Sequence, residues 1–151
     1  MKNADPPRAA ILLTAIAVLI ASLWPARSPL SALIGDPLGE TDNHLWMFWR
    51  QVRWMVDGVG PLTNAPAGVD IPLMDPVNLP VFAILSPLSS VVAYNGLAVW
   101  SVALAMAGGY ALSRQLVGRQ GAVVGMAAAG SAPFLLGVID FGITELSLIH
   151  I

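Results

Sequence analysis

Between Asp75 and Arg114 the chain carries no charged side chain, and between Arg119 and Asp140 it carries none again. No other feature restricts the fold as strongly. Uncharged runs of this length suit the hydrocarbon core of a bilayer, where a helical span needs roughly 20 predominantly apolar residues. The composition agrees, with 56% hydrophobic and 11% charged residues and a mean hydropathy of +0.73. A soluble domain carries roughly 25% charged residues. The expected fold class is all-α: a polytopic transmembrane helical protein whose outer loop carries an interfacial amphipathic helix.

Three spans are expected, at about 9–26, 96–113 and 120–139. The first begins after the basic residues Lys2 and Arg8 and is apolar from Ala9 to Trp24 except for Thr14 and Ser22. A cleaved signal peptide is the rival reading. The length of the run, and the lack of a small-x-small cleavage site before Pro25, favour an uncleaved anchor. Asn95 and Gly96 are read as dividing the second uncharged stretch. Residues 79–94, with Pro80 and Pro87, then form an interfacial or re-entrant element, with a short full pass as the alternative.

Lysines and arginines flanking the spans set orientation. Lys2 and Arg8 place the N-terminus on the cytoplasmic side, and Arg114 and Arg119 place their short connection there too. The loop 27–78 then lies outside, as do Asp140 and Glu145. If 79–94 crosses fully, the two arginines move outside. Three spans are preferred to four. Gly121 with Gly125, and Ala105 with Gly109, have the spacing of close helix packing.

The absence of cysteine excludes disulfides, thiolate metal sites and cysteine nucleophiles. The net charge of −2 is near zero. No basic cluster marks a nucleic-acid surface, so no nucleic-acid partner is expected.

The loop 27–78 holds Asp36, Glu40, Asp42, Asp57, Asp70 and Asp75, six of the chain's nine acidic residues. Within it Leu45, Phe48, Trp49, Val52, Met55 and Val56 recur at spacings of three and four, which predicts an amphipathic helix. Thr41, Asp42 and Asn43 are all good N-caps, and Gly58 is a natural stop. A tryptophan-rich helix just after a span is expected to lie in the membrane interface. Just upstream, Glu40-Thr41-Asp42 sets two carboxylates close together. Such a pair can supply a general base or hold a divalent cation. It can equally be a helix cap beside a solvated glutamate, and on the residues alone that plainer reading is favoured. Asp70 and Asp75 are read as turn residues.

The order of these features resembles the N-terminal part of the GT-C superfamily of polytopic membrane glycosyltransferases, which use lipid-phosphate-linked sugars as donors. Glu40-Thr41-Asp42 is similar to the ExD form of that family's outer-loop acidic motif. The succession GDPLGETDNHLWMFWR, DGVGPLTNAPAG, SPLSSVVAYNGLAVW, GGYALSRQLVG and GSAPFLLGVIDFG resembles uncharacterised bacterial members, and the likeness covers most of Ile34 to Gly142. The resemblance implies that Asp42 is the catalytic or metal-binding acid with Glu40 beside it, and Asp36 less directly. It implies a role for Arg50 or Arg53 in steadying the departing phosphate, although both also suit snorkelling toward lipid headgroups. His44 is a candidate to hydrogen-bond a phosphate, though a lone interfacial histidine is more often structural. A divalent cation, Mg or Mn, would be held by Glu40 and Asp42. Membrane lipid and a polyprenyl-phosphate sugar are the implied partners, and a bacterial inner membrane the implied location. A transporter and a non-enzymatic membrane scaffold are the alternatives.

The family continues through many more spans, so residues 1–145 are expected to be the opening part of a longer enzyme. The last six residues, Leu146 to Ile151, read as a translated sequencing adapter; a natural ending is the alternative.

Overall fold

The computed structural model describes residues 8–23, 28–36, 39, 41–58 and 75–141. Lys2, Glu40, Asp70, Glu145 and residues 146–151 lie outside the described residues. The described elements are all helices: α1 (Arg8–Leu23), α2 (Thr41–Asp57), α3 (Leu79–Leu85), α4 (Ser90–Gly130) and α5 (Pro133–Phe141).

The centre of the fold is α4. Ser89 caps it by accepting the Val92 N–H at 3.0 Å. The helix runs without interruption through Asn95 and Gly96, so these two residues do not divide the segment as expected. The divide lies at 86–89, between α3 and α4. Breaker chemistry misleads at both positions because tertiary contacts use it. The Asn95 side chain reaches out to bond another segment. Gly96 lets Leu85 of α3 come so close that a β-carbon there would collide with it.

At Gly118 the backbone leaves helical geometry, with φ 81° and ψ −174°, a region open in practice only to glycine. The chain reverses there. Gly109 meets Gly125, and Met106 meets Gly130, so arms 90–117 and 119–130 form an antiparallel hairpin. A β-carbon on Gly109 would stand 2.5 Å from the Gly125 carbonyl oxygen. Close packing therefore draws on one glycine from each of the two small-residue pairs seen in the sequence. The return arm stops at Ser131, whose hydroxyl donates to the Ala127 carbonyl at 2.8 Å. Pro133 then opens α5, so the expected span 120–139 is interrupted.

One helix among the described residues is long and apolar enough to cross a membrane, and it lies within Ser90–Asp140. Its first arm alone measures about 42 Å at about 1.5 Å per residue. By the same rise α1 measures about 24 Å, short of a hydrocarbon core of about 30 Å.

Against this hairpin α1 packs Ile11, Ala15, Val18 and Leu19, around a core of Val102, Met106 and Met126. Its other side exposes Leu12, Leu13, Ile16 and Ile20. Near its end the Ser22 hydroxyl donates to the Gly130 carbonyl at 3.1 Å. By Pro29 the chain has reached Asn95. Thus α1 runs antiparallel to the first arm of α4, and Arg8 falls at the Gly118 end with Arg114 and Arg119. The loop, α2 and α3 gather at the opposite end.

A second core holds that end together. Phe48 of α2 stacks on Phe82 of α3, with centroids 5.3 Å apart and planes 20° apart. Leu79, Ala93, Tyr94 and Leu97 complete it, with Leu33, Leu45 and Val52 at its margin. Asp75 prepares α3. Its Oδ1 accepts the Asn78 N–H at 3.1 Å, and its Oδ2 accepts from Asn78 Nδ2 at 2.5 Å. Asp75 is a turn residue, as its sequence context suggests, and takes a positive φ of 47° to do this.

Candidate functional site

The loop 28–36 delivers the first acidic residue, and one side chain fixes its path. Asn95 is buried in the second turn of α4. Its Nδ2 donates to the carbonyls of Pro29 at 2.6 Å and Ala32 at 2.8 Å, and its Oδ1 accepts the Ile34 N–H at 2.8 Å. Both donors and one acceptor site of the amide are thereby used on a segment with no regular structure of its own, which satisfies backbone groups that would otherwise lack partners.

Beyond Ile34 the chain crosses the end of α5. The Asp36 N–H donates to the Asp140 carbonyl at 2.5 Å. This caps a helix terminus whose last carbonyls have no partner within the helix. Gly35 makes the approach feasible. Its φ is 130°, and a β-carbon there would lie 2.5 Å from Thr41 Oγ1 and 3.0 Å from the Asp140 carbonyl oxygen. The Thr41 hydroxyl in turn donates to the Asp36 carbonyl at 3.4 Å. Three chain segments thus meet around Gly35: the loop with Asp36, the first turn of α2 with Thr41 and Asp42, and the end of α5 with Asp140.

The helix expected to follow the acidic motif is α2, and it ends as expected: Gly58 takes φ 64° and donates its N–H to Trp54 O at 3.0 Å. The orientation of α2 differs from the expectation. Its buried positions are Thr41, His44, Phe48 and Gln51. Trp49, Met55 and Val56, assigned to the apolar face, are exposed. Of that face only Phe48 is buried, with Leu45 and Val52 beside it. The reason is local: the aromatic seat on Phe82 fixes the rotation, and the polar residues one turn to either side follow Phe48 inward.

The expected site residues separate accordingly. Asp42 is exposed on the first turn of α2, and His44 is buried on the other side of the same helix. Arg53 is exposed and lies three turns beyond Asp42, about 16 Å along the axis. Arg50 is partly buried. The structure therefore does not gather Asp42, His44, Arg50 and Arg53 into one cluster. The pair proposed to hold a cation is incomplete, because Glu40 lies outside the described residues. Among the described residues, no group of three or more His, Asp or Glu could hold a metal ion.

Asp140 and Asn95 are the residues that sequence reasoning did not assign to the site. Asp140 stood out only as the first charge after an uncharged run. Asn95 gave the opposite signal, that of a helix breaker. No family model matches the chain, and neither a curated protein nor a solved structure matches it.

Proposed function

We propose that this chain is part of a polytopic membrane glycosyltransferase of the GT-C kind, acting at the outer face of a bacterial inner membrane. In this reading α1, the two arms of α4 and α5 form the membrane-embedded part. The loop 28–36 and α2 form the outer face, and a sugar moves there from a polyprenyl-phosphate donor to an acceptor. The observation that carries the proposal is the convergence at Gly35. It collects Asp36, the start of α2 with Asp42, and Asp140 at one end of a bundle whose long arm has no charge from Ser90 to Ser113.

In this reading Asp42 is the general base toward the acceptor hydroxyl, since it stands exposed at that end and is free to meet a substrate. Glu40 is its neighbour in the motif, and any divalent cation binds there. The three arginines at the Gly118 end suit the cytoplasmic side. A transporter fits less well, because an ion or substrate path calls for ionisable groups within the spans.

The test uses the unbroken reading frame. Asp42 is the second residue of α2, where Asn keeps its size and gives up only the modest interaction of its charge with the helix N-terminus, so Asp42→Asn is expected to keep expression and membrane insertion while abolishing transfer of sugar from a polyprenyl-phosphate donor. A fully active Asn variant leaves Asp42 a first-turn helix residue alone and removes the assignment.

A further inference from the structure

The face that α2 turns away from the protein has an order of its own. Asp42, Trp46, Trp49 and Arg53 recur at steps of four, three and four, which places them in one stripe along the helix. Trp46 is 45% exposed, Trp49 41% and Trp54 46%. Val56, seven residues beyond Trp49, continues this side and is more exposed still. On the opposite side Thr41, His44 and Gln51 are buried. Phe48 is buried on that same side, and the two indoles left bare between Asp42 and Arg53 make the outer stripe amphipathic rather than simply hydrophilic. Indole has an apolar body and one N–H, which suits the boundary between acyl chains and headgroups. Arg53, on the same stripe, matches the charge of a lipid phosphate.

We propose that this outward stripe of α2 is seated in the headgroup layer of a phospholipid bilayer, with the indoles at the acyl boundary and Arg53 at the phosphates. The inference rests on the membrane reading above and sharpens it, because it assigns the two faces of α2 to two different partners. Phe48 holds the protein, and the tryptophans hold the lipid. It also turns Asp42, at the head of the stripe, toward the level of the lipid phosphates.

Single-tryptophan variants of the whole chain in phosphatidylglycerol vesicles test this. One variant keeps Trp49 and another keeps Trp100, which lies in the first arm of α4, with the remaining tryptophans changed to phenylalanine. Circular dichroism checks that each stays helical. Lipids brominated near the headgroup are expected to quench Trp49 by roughly half or more, and lipids brominated near the chain ends much less, as for an interfacial indole. Aqueous acrylamide is expected to quench it weakly. Trp100 is expected to respond to the deeper bromines.

Quenching of Trp49 by acrylamide and not by brominated lipid overturns the proposal and places the stripe in water. Insensitivity to both also overturns it and points to a covering protein surface. If Trp100 responds to brominated lipid and Trp49 does not, the membrane reading stands and this inference alone fails. If neither responds, both fail. A third variant, with Trp46 as the only tryptophan, repeats the measurement on the same stripe should the Trp49 variant lose helicity.

Discussion

The Oδ1 of Asn95 accepts the backbone N–H of Ile34 at 2.8 Å across a sequence gap of 61 residues. With its two donor bonds to Pro29 and Ala32, this one amide governs the path of the loop that carries Asp36. Replacing it with leucine keeps the volume and removes all three bonds. Asn95→Leu is expected to cost about 2–4 kcal/mol, at about 1 kcal/mol per bond. Amide exchange at Ile34 should rise by a matching factor. Asn95→Asp retains the acceptor for Ile34 but turns an acceptor-only carboxylate toward the carbonyls of Pro29 and Ala32, so it should cost at least as much.

The reversal at Gly118 makes a backbone prediction with no packing in it. A β-carbon at Gly118 meets nothing within 4 Å, so Gly118→Ala tests conformation alone. The expected cost is about 1–3 kcal/mol, read as lowered thermal stability in detergent. Gly109→Ala tests the opposite case. Its backbone geometry tolerates alanine, but the new methyl group meets the Gly125 carbonyl at 2.5 Å. The arms must splay, at a cost of about 1–3 kcal/mol from overpacking.

The aromatic seat of α2 gives a third prediction. Phe48 is 4% exposed, and its removal leaves a cavity against Phe82. Phe48→Ala is expected to destabilise by about 3–5 kcal/mol, with α2 losing exchange protection before α4. Trp49→Ala, one residue on and facing outward, should change stability in detergent by no more than about 0.5 kcal/mol. Equal losses at the two positions would remove the rotation assigned to α2.

Asp75 sits at a positive φ and still holds Asn78, the residue from which α3 starts, by two bonds to its carboxylate. Alanine suits neither demand, whereas asparagine tolerates the conformation and keeps an acceptor for the Asn78 N–H. Asp75→Ala is expected to cost about 1–3 kcal/mol from the two lost bonds and the strained backbone, and Asp75→Asn clearly less. Chemical denaturation of the two variants side by side measures the difference.

What could be read in the sequence was what local chemistry decides. Thr41 to Gly58 reads as a helix because cap, periodicity and glycine stop agree. The uncharged runs give apolar helices because nothing in them suits water. What could not be read depends on contacts between distant segments. Asn95 and Gly96 look like breakers to a local reading and act as a hook and a notch in a continuous helix. Gly118 is one of several glycines in that region, and only the backbone shows that the chain turns there. The rotation of α2 was misread because counting apolar residues assumes one apolar partner. On this helix protein covers one side, and indoles occupy the other. The convergence of Asp36 with Asp140 was hidden in the same way, since a single hydrogen bond joins two ends of the sequence.

The bond from Ser22 to Gly130 closes a gap of 108 residues. While the chain is being synthesised, α1 emerges early and has no second arm to meet. Val102 and Met106 of the first arm can cover part of its inward face, but the part that meets Met126 and Gly130 waits for the second arm. Helices joined late in this way assemble after their loops have formed, because closing a long loop costs entropy before any contact offsets it. A nascent chain arrested before residue 130 therefore leaves that part of α1, and the Ser22 hydroxyl, without its partner from the second arm.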